Sequence, residues 1–209
     1  MKQPIDIILF ARSPMLGKVK QRLARHIGDT RALAVYRKLL RLSLRAAMEA
    51  VTMDPELRLV VSHLGTRPDR DIPKEFNGTF KVQASREFTV NLAAEVRSTV
   101  LTHRRGVVVF GADHPTIEAG HIIAMAHLLD RNPVAVGPTD DGGFWAVATS
   151  VPLDHVIAEL PLSTNSTLDT FVSVVARQGL SCGIGPTLFD VDDHTDLVRW
   201  KKTIKERNT

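Results

Sequence analysis

Short apolar segments with the composition of strands buried on both faces recur along the chain and limit its choice of fold. Residues 5–10 are apolar except for Asp6, and residues 106–110 contain no polar side chain. Strands of this kind are typical of parallel sheets that helices cover on both sides. Segments with helical periodicity alternate with them. The alternation predicts an α/β protein with a mostly parallel central sheet and right-handed crossovers.

The apolar runs and periodic segments predict where the elements lie. Strands are expected at residues 5–10, 57–63, 80–83, 106–110, 134–137 and 144–148. Helices are expected at residues 18–26, 89–103 and 117–130. A further helix is expected to begin at a cap formed by Asp29 or Thr30 and to end at about residue 51. No repeat, flexible linker or block of like charge divides the sequence. We therefore expect one three-layer α/β/α domain over residues 1–209.

Positive charge is concentrated in the first quarter of the chain. Residues 1–50 contain 11 Lys and Arg against 3 Asp and Glu, whereas the rest carries 16 against 20. Such a basic region is typical of proteins that bind nucleic acid, an anionic surface or a phosphorylated small molecule. No aromatic residue lies among the cations of residues 12–25, so the stacking platform of a single-strand binder is absent. We expect a phosphorylated small molecule rather than nucleic acid.

Several classes of protein and site are excluded by what the sequence lacks. Cys182 is the only cysteine, which rules out an intrachain disulfide, and we expect it to be a small buried hydrophobe. Neither a signal peptide nor a membrane-length apolar run is apparent, so we expect a cytoplasmic protein without a membrane partner. No GxGxxG, GxSxG or HExxH motif supplies a nucleophile or metal site. Direct transfer between two bound substrates is therefore favoured over covalent catalysis.

The loop after the first predicted strand is the strongest candidate for binding an anion. Arg12, Lys18, Lys20 and Arg22 lie within eleven residues there, at the start of a predicted helix whose free N–H groups also favour an anion. A pyrophosphate or triphosphate fits this pattern. The loop is not of the Walker A type, because Val19 stands where Ser or Thr must bind magnesium. A solvated basic helix start explains the local pattern equally well.

Acidic residues follow the later strands. Asp113 ends a buried-type strand, where its carboxylate is suited to Mg²⁺ or Mn²⁺ that phosphates also ligate, although it can equally cap the next helix. Asp141 lies beside two glycines in residues 139–145, a segment that suits either sugar hydroxyls or a hairpin turn. Residues 189–197 supply a second carboxylate for the metal or cap the final helix. His114 is interpreted as a ligand, a base or a turn residue.

Read in order, these segments resemble the small GT-A-fold glycosyltransferases of the arsenosugar-biosynthesis type. That family is in turn similar to 2-phospholactate guanylyltransferases and molybdenum-cofactor nucleotidyltransferases. The matching residues span nearly the whole chain. They are 10–14 with 17–20 and Arg22-Leu23, 111–116, Gly137-Pro138 with 141–144, and 190–192 with Asp196-Leu197.

The resemblance implies a nucleotide-diphospho-sugar transferase-like fold and a set of site residues. The nucleotide-binding residues are expected to be Ala11, Arg12, Gly17, Lys18, Lys20, Arg22 and Asn91. The metal, Mg²⁺ or Mn²⁺, is assigned to Asp113 and Asp192, with Asp190 in reserve because strand alternation places it on the same side as Asp192. The substrate-binding residues are expected to be Asp141, Gly142 and Gly143, and the catalytic candidates are Asp141 and Lys20.

The chain also departs from the family pattern at several positions. The family has the motif KTRL at residues 20–23, where this chain has Gln21 instead of the threonine. It also has a small or sulfur-containing residue where this chain has His114. In the motif that reads approximately DLGERM, the glycine has become Ala93 and the arginine Glu95. Losing that arginine costs about 1–3 kcal/mol of binding if it holds the nucleotide or donor.

Three functions follow from these residues. The leading expectation is metal-dependent glycosyl transfer from a nucleoside diphosphate sugar to a small acceptor. The first alternative is nucleotidyl transfer to a phosphorylated small molecule with release of pyrophosphate, which the same fold and loop can serve. The second alternative is a diverged, non-catalytic protein that binds a nucleotide or RNA. The oligomeric state is not encoded in these residues, and a homodimer is compatible with them.

Overall fold

The computed structural model describes residues 3–102, 104–161 and 166–207. Its strands are β1 (Ile5–Arg12), β2 (Leu57–Leu64), β3 (Thr79–Val82), β4 (Gly106–Gly111), β5 (Val134–Pro138), β6 (Phe144–Thr149) and β7 (Cys182–Ile184). Its α-helices are α1 (Gln21–Ile27), α2 (Asp29–Met53), α3 (Phe88–Leu101), α4 (Ala119–Leu128), α5 (Asp154–Ala158), α6 (Thr167–Arg177) and α7 (His194–Arg207).

The strands form one sheet in the order β3-β2-β1-β4-β6-β5-β7. Strand β6 runs antiparallel to its neighbours β4 and β5, and the other neighbouring pairs are parallel. The prediction of a mostly parallel α/β sheet is therefore confirmed. Because β1, β2 and β4 are mutually parallel, their carboxyl ends open at one edge, the position where α/β sheets bind ligands.

Helices cover both faces of this sheet, as the alternating side chains of β1 show. Ile7 and Leu9 pack into a core that includes residues of α2 and α4. Ile8 and Phe10 point the other way, into a core that includes residues of α3, α5 and α6. Successive strand residues face opposite sides, so a strand buried on both must be apolar at nearly every position. The three-layer prediction is confirmed.

A third, smaller core holds α1, α2 and α7 together. Leu23 of α1, Leu39 of α2 and Trp200 of α7 are all buried in it. This core fixes the start of α1 and the start of α7 relative to the sheet edge. It therefore positions the basic loop and the acidic segment before α7.

The predicted boundaries hold within a few residues for most elements, and the exceptions have physical causes. Helix α1 begins at Gln21 rather than Lys18, because Lys20 adopts a left-handed backbone conformation that cannot continue a helix. Gly28, and not Asp29 or Thr30, is the N-cap of α2. The predicted helix at 89–103 is α3, and residue 103 lies outside the described residues. Cys182 is half-buried on β7, and its burial raises the pKa of the thiol to about 11.

Glu95, which replaces an arginine of the related motif, is an internal ion-pair partner. Its carboxylate is almost completely buried, accepts a hydrogen bond from Ser62 Oγ at 3.0 Å, and lies 2.7 Å from Lys81 Nζ. Lys81 is partly exposed, so the pair spans from the core to the surface. The acidic residue at this position is therefore matched by a basic residue on β3.

Restoring an arginine at this position is expected to destabilise the protein. Glu95→Arg places a cation against Lys81 and removes the acceptor of Ser62, which should lower the free energy of unfolding by about 2–4 kcal/mol. Urea denaturation measures the change, and Glu75→Arg at an exposed site is the matched control, expected within about 0.5 kcal/mol of wild type. Equal stability of Glu95→Arg and wild type would contradict this account.

Candidate functional site

One lysine joins three distant segments at the carboxyl edge of the sheet. Lys20 Nζ lies 2.6 Å from Asp113 Oδ1 and 2.9 Å from Asp192 Oδ1. Lys20 precedes α1, Asp113 follows β4, and Asp192 precedes α7. Val191 N also donates to Asp113 O at 3.1 Å, which ties the two acidic segments together through the main chain. We call this trio of side chains the Lys20 bridge.

The backbone of Lys20 is held in an unusual conformation. Its φ of 48° and ψ of 47° lie in the left-handed region. No other non-glycine residue of the described chain has a positive φ. The conformation costs of the order of 1 kcal/mol for a residue with a side chain. It turns the side chain inward, where only 5% of it is exposed. The strained backbone of Lys20 thus allows its ammonium to be buried between the carboxylates of Asp113 and Asp192.

The charges of Lys20 and Asp113 stabilise each other within the bridge. Burial alone would lower the pKa of Lys20, but Asp113 and Asp192 outweigh it and hold that pKa above its usual value. Burial alone would raise the pKa of Asp113, but the ammonium of Lys20 holds it below its usual range. Both groups are therefore charged at neutral pH.

The bridge leaves part of Asp113 available to a ligand. Asp113 Oδ1 is buried and makes no hydrogen bond of normal geometry, although Lys20 is close. About 41% of the side chain is nevertheless exposed, so the rest of the carboxylate faces the open edge of the sheet. Two carboxylates that converge on one cation have the donor atoms and the charge that suit a divalent ion that phosphates also ligate.

Asp190 does not join this pair. Residues 190–193 do not form a strand, so the alternation that would place Asp190 beside Asp192 does not apply. Burial and the nearby charges of Asp192, Asp141 and Asp113 raise the pKa of Asp190 to about 7. Within the described residues no group of three or more His, Cys, Asp or Glu side chains is placed to hold a metal. A metal at Asp113 and Asp192 would need ligands from the substrate or water.

The acidic segment before α7 caps that helix and also contributes an ion pair with Lys20. Asp192 contributes to the Lys20 bridge, and Arg22 adds longer contacts of 3.6 Å to Asp192 and 3.8 Å to Asp193. Asp193 Oδ1 accepts a hydrogen bond from Thr195 N at 2.8 Å, the geometry of a cap on α7. The adjacent residues Asp192 and Asp193 thus have different roles, an ion pair and a helix cap. Their spacing in the sequence does not predict which residue has which role.

The segment with Asp141 is the turn between the antiparallel strands β5 and β6. Asp141 Oδ1 accepts hydrogen bonds from Thr139 Oγ1 at 2.6 Å and Gly143 N at 3.1 Å, and Gly142 has a φ of 88°. Burial would raise the pKa of Asp141, but these hydrogen bonds hold it below its usual value. The glycines therefore serve the turn, and the exposed carboxylate of Asp141 remains beside Asp190.

Three cations at the end of β1 have no acidic partner. Among the described residues, Arg12, Lys18 and Arg86 form no ion pair, and together they line a cavity of about 580 Å³. An adjoining cavity of about 540 Å³ is lined by Arg12, Lys18, Arg22 and the Lys20 bridge. We call these two spaces the phosphate cleft. Arg86 was not predicted, since it lies 74 residues from Arg12 in a loop without a recognisable pattern.

Tyr36 and Asn91 organise the walls of this region. The Tyr36 hydroxyl accepts a hydrogen bond from Arg12 N at 2.7 Å and donates one to Arg12 O at 3.0 Å. Asn91 accepts from Ser85 N at 3.1 Å and donates to Ser85 O at 2.8 Å, so it holds the loop that carries Arg86. Ala11 lines a cavity that Tyr36 and Asn91 also line. Tyr36 showed only the periodicity of a core residue in the sequence.

The remaining predicted residue, Gly17, shapes the basic loop. Its φ of 70° suits glycine, and its carbonyl accepts a hydrogen bond from Gln21 Nε2 at 3.1 Å. The structure thus brings the basic loop, Asn91, Asp113 and Asp192 to one edge of the sheet. Asp190 lines a separate cavity with Asp113 and His114, and Asp141 lies near Asp190.

Comparison with known families and structures adds to this geometry. Residues 44–164 match a family described as uncharacterized proteins conserved in bacteria, DUF2064, over more than half of the chain. The chain belongs to this family. A search of curated proteins returned no significant match to the sequence.

Solved structures share the fold at low sequence identity. A proposed nucleotide-diphospho-sugar transferase from Desulfovibrio desulfuricans G20 superimposes with a TM-score of 0.77 at 21% identity, over 92% of this chain and 84% of the other. A 4-diphosphocytidyl-2C-methyl-D-erythritol synthase from Anaerococcus prevotii gives 0.59 at 8% identity, over 97% and 99%. Glucosyl-3-phosphoglycerate synthase from Mycobacterium tuberculosis, solved with Mn²⁺ and UDP, gives 0.57 at 10%, over 94% and 75%.

These neighbours show that this member of DUF2064 has the fold of nucleotide-diphospho-sugar transferases and cytidylyltransferases. The neighbours themselves are glycosyl and nucleotidyl transferases by description. In the described part of the chain, no helix is both long and apolar enough to span a membrane.

Removing the ammonium of the Lys20 bridge is expected to destabilise the protein. Lys20→Met leaves two carboxylates facing each other without a cation, which should lower the free energy of unfolding by about 1–3 kcal/mol after allowance for their partial exposure. Chemical denaturation at pH 7 measures it. Lys201→Met, at an exposed position on α7, is the control and should behave as wild type. A neutral effect of Lys20→Met would show that the bridge does not stabilise the fold.

The stability difference between wild type and Lys20→Met should depend on pH. The native pKa of Asp113 lies below its ordinary value of 3.8, so the bridge contributes above about pH 4 and is lost as the pH falls through the native pKa. The native pKa of Lys20 lies above 10.5, so the contribution is lost again only as the pH rises through that higher value. Denaturation between pH 3 and 9 should show a difference that is small at pH 3 and increases with pH, because loss of the ammonium leaves burial to raise the pKa of Asp113 in the variant. A difference that grows below pH 4 would contradict the assignment.

Proposed function

We propose that the protein is a metal-dependent glycosyltransferase that moves a sugar from a nucleoside diphosphate sugar to a small acceptor. The observation that carries this proposal is the separation of charge at the carboxyl edge of the sheet. Arg12, Lys18 and Arg86 offer unpaired positive charge on one side, and Asp113 and Asp192 offer converging carboxylates beside it. A diphosphate with a bound cation complements this arrangement.

The cations of the phosphate cleft would do most of the binding. Arg12 can engage two phosphate oxygens at once through its planar guanidinium, and Lys18 adds a mobile point charge. In glycosyl transfer the bond between the anomeric carbon and the diphosphate oxygen breaks, and its electron pair leaves with the diphosphate. The acceptor oxygen forms the new bond and releases its proton to water. Cations already fixed around the leaving diphosphate stabilise its growing charge.

A divalent metal would be held by Asp113 and Asp192, with phosphate oxygens as further ligands. When bound, such an ion supplies positive charge to the leaving diphosphate. Lys20 occupies the space between the same two carboxylates, so the ammonium and the metal would compete for them. Once released from the bridge, the ammonium of Lys20 would lie within the phosphate cleft and could pair with the diphosphate.

The motif resemblance supports a narrower assignment within this class. The residues of the basic loop, Asp113 and the segment of residues 141–144 follow the pattern of the small glycosyltransferases of the arsenosugar-biosynthesis type. Nucleotidyl transfer is the second candidate. The three unpaired cations of the phosphate cleft also suit a triphosphate, and this favours nucleotidyl transfer. The two reactions differ in their product, since only nucleotidyl transfer releases pyrophosphate.

Calorimetry with nucleotides tests the proposal. UDP-, GDP-, CDP- and dTDP-sugars are titrated in the presence of Mn²⁺, and at least one should bind. Lys18→Ala should weaken that binding by about 1–3 kcal/mol, because a charged hydrogen bond is lost, and Asp113→Asn should remove its dependence on Mn²⁺. Lys201→Ala, a surface cation outside the cleft, should bind as wild type does.

Two results would overturn the proposal. Failure of every nucleotide sugar to bind would remove its basis. Pyrophosphate release from a nucleoside triphosphate and a phosphorylated acceptor would assign the protein to the second candidate.

A further inference from the structure

A further cavity shares Asp113 with the phosphate cleft. Its volume is about 170 Å³, and its apolar wall comes from α3, β4 and β6, chiefly Phe88, Leu92, Phe144 and Val147. The rings of Phe88 and Phe144 are 6.3 Å apart and inclined at 45°. We call this space the aromatic pocket. Apolar cavities of about 150 Å³ accommodate a benzene molecule, so this pocket has the size for one six-membered ring.

The opposite end of the aromatic pocket is polar and incompletely bonded. Asp113, His114 and Asp190 line it. Asp113 Oδ1 is held by the ammonium of Lys20, whereas the buried His114 Nδ1 has no hydrogen-bond partner of normal geometry among the described residues. A buried polar atom without a partner is uncommon, and a cavity beside it indicates a ligand or ordered water that completes its bonding. The pocket therefore suits a molecule that is apolar at one end and hydroxylated at the other.

Charge distinguishes this pocket from the phosphate cleft. Two of its polar residues are aspartates. The unpaired cations Arg12, Lys18 and Arg86 do not line it, and Arg12 and Arg86 line an adjoining cavity that shares Phe88 and Asp113 with it. A phosphate placed here would lie against the carboxylates of Asp113 and Asp190, and like-charge contacts of this kind are unfavourable. A neutral hydroxyl can bond to the same groups without that cost.

We infer that the aromatic pocket binds the acceptor, and that the acceptor is an uncharged molecule with a small ring and a hydroxyl group. The inference rests on the proposed function, since it takes the phosphate cleft as the donor site. Asp113 lines both spaces, so the hydroxyl end of an acceptor would lie next to the leaving diphosphate. A neutral acceptor also favours glycosyl transfer over nucleotidyl transfer to a phosphorylated molecule.

Tryptophan fluorescence tests the inference with defined probes. Trp145 lines the pocket, and Trp200 is the only other tryptophan, so Trp200→Phe leaves a single reporter. Benzyl alcohol and benzyl phosphate are titrated at pH 8, where the phosphate carries two negative charges. Benzyl alcohol should give a saturable change, and benzyl phosphate should bind at least about tenfold more weakly. Asp190→Asn should narrow that gap.

Variants of α3 separate pocket binding from a general effect. Phe88→Ala removes part of the apolar wall and should weaken binding of benzyl alcohol, whereas Val90→Ala, at an exposed position on the same helix, should not. Phe88 is itself partly exposed, and circular dichroism verifies that each variant is folded. If Phe88→Ala does not fold, Leu92→Met serves in its place.

The outcomes are distinct. No saturable signal with benzyl alcohol, or equal binding by Phe88→Ala and Val90→Ala, overturns the inference. Binding of benzyl phosphate as tight as that of benzyl alcohol overturns the charge argument and favours a phosphorylated acceptor. Binding of benzyl alcohol together with failure of every nucleotide sugar in calorimetry leaves the pocket in place and removes the proposed function.

Discussion

The ion pairs of Lys20 with Asp113 and Asp192 organise the carboxyl edge of the sheet. They connect the loop after β1, the end of β4 and the segment before α7, which packing, main-chain contacts and the longer ion pairs of Arg22 also join. A buried ammonium is unfavourable unless carboxylates surround it, and two carboxylates repel each other unless a cation separates them. Each group thus depends on the other two. The strained backbone of Lys20 is accommodated because this arrangement is fixed.

This interaction also divides the candidate site into regions of different chemistry. On one side, Arg12, Lys18 and Arg86 form no ion pair within the described residues and line the phosphate cleft. On the other side, the aromatic pocket combines apolar walls with an acidic end. An anionic donor and an uncharged acceptor would thus bind on either side of Asp113. The fold alone does not dictate this division, since related folds carry out different transfer reactions.

Glu95 shows how a departure from a sequence motif is interpreted differently once the structure is known. In the sequence, replacing an arginine by an acid suggests altered binding of a nucleotide. In the structure the carboxylate is buried against the sheet, hydrogen-bonded to Ser62 and paired with Lys81. The negative charge of Glu95 is therefore compensated within the protein by Ser62 and Lys81. Measuring nucleotide binding by the protein tests whether Glu95 also affects the ligand.

The sequence by itself determined the layers, the parallel sheet and the loops that matter, because strands buried on both faces must be apolar and ligand sites follow their carboxyl ends. It did not determine which acidic residue meets Lys20, since Asp190 and Asp192 look equivalent until an irregular segment orients them. It also gave no sign of Arg86 or of the role of Tyr36. These features depend on contacts between residues distant in the chain, and only the tertiary structure decided them.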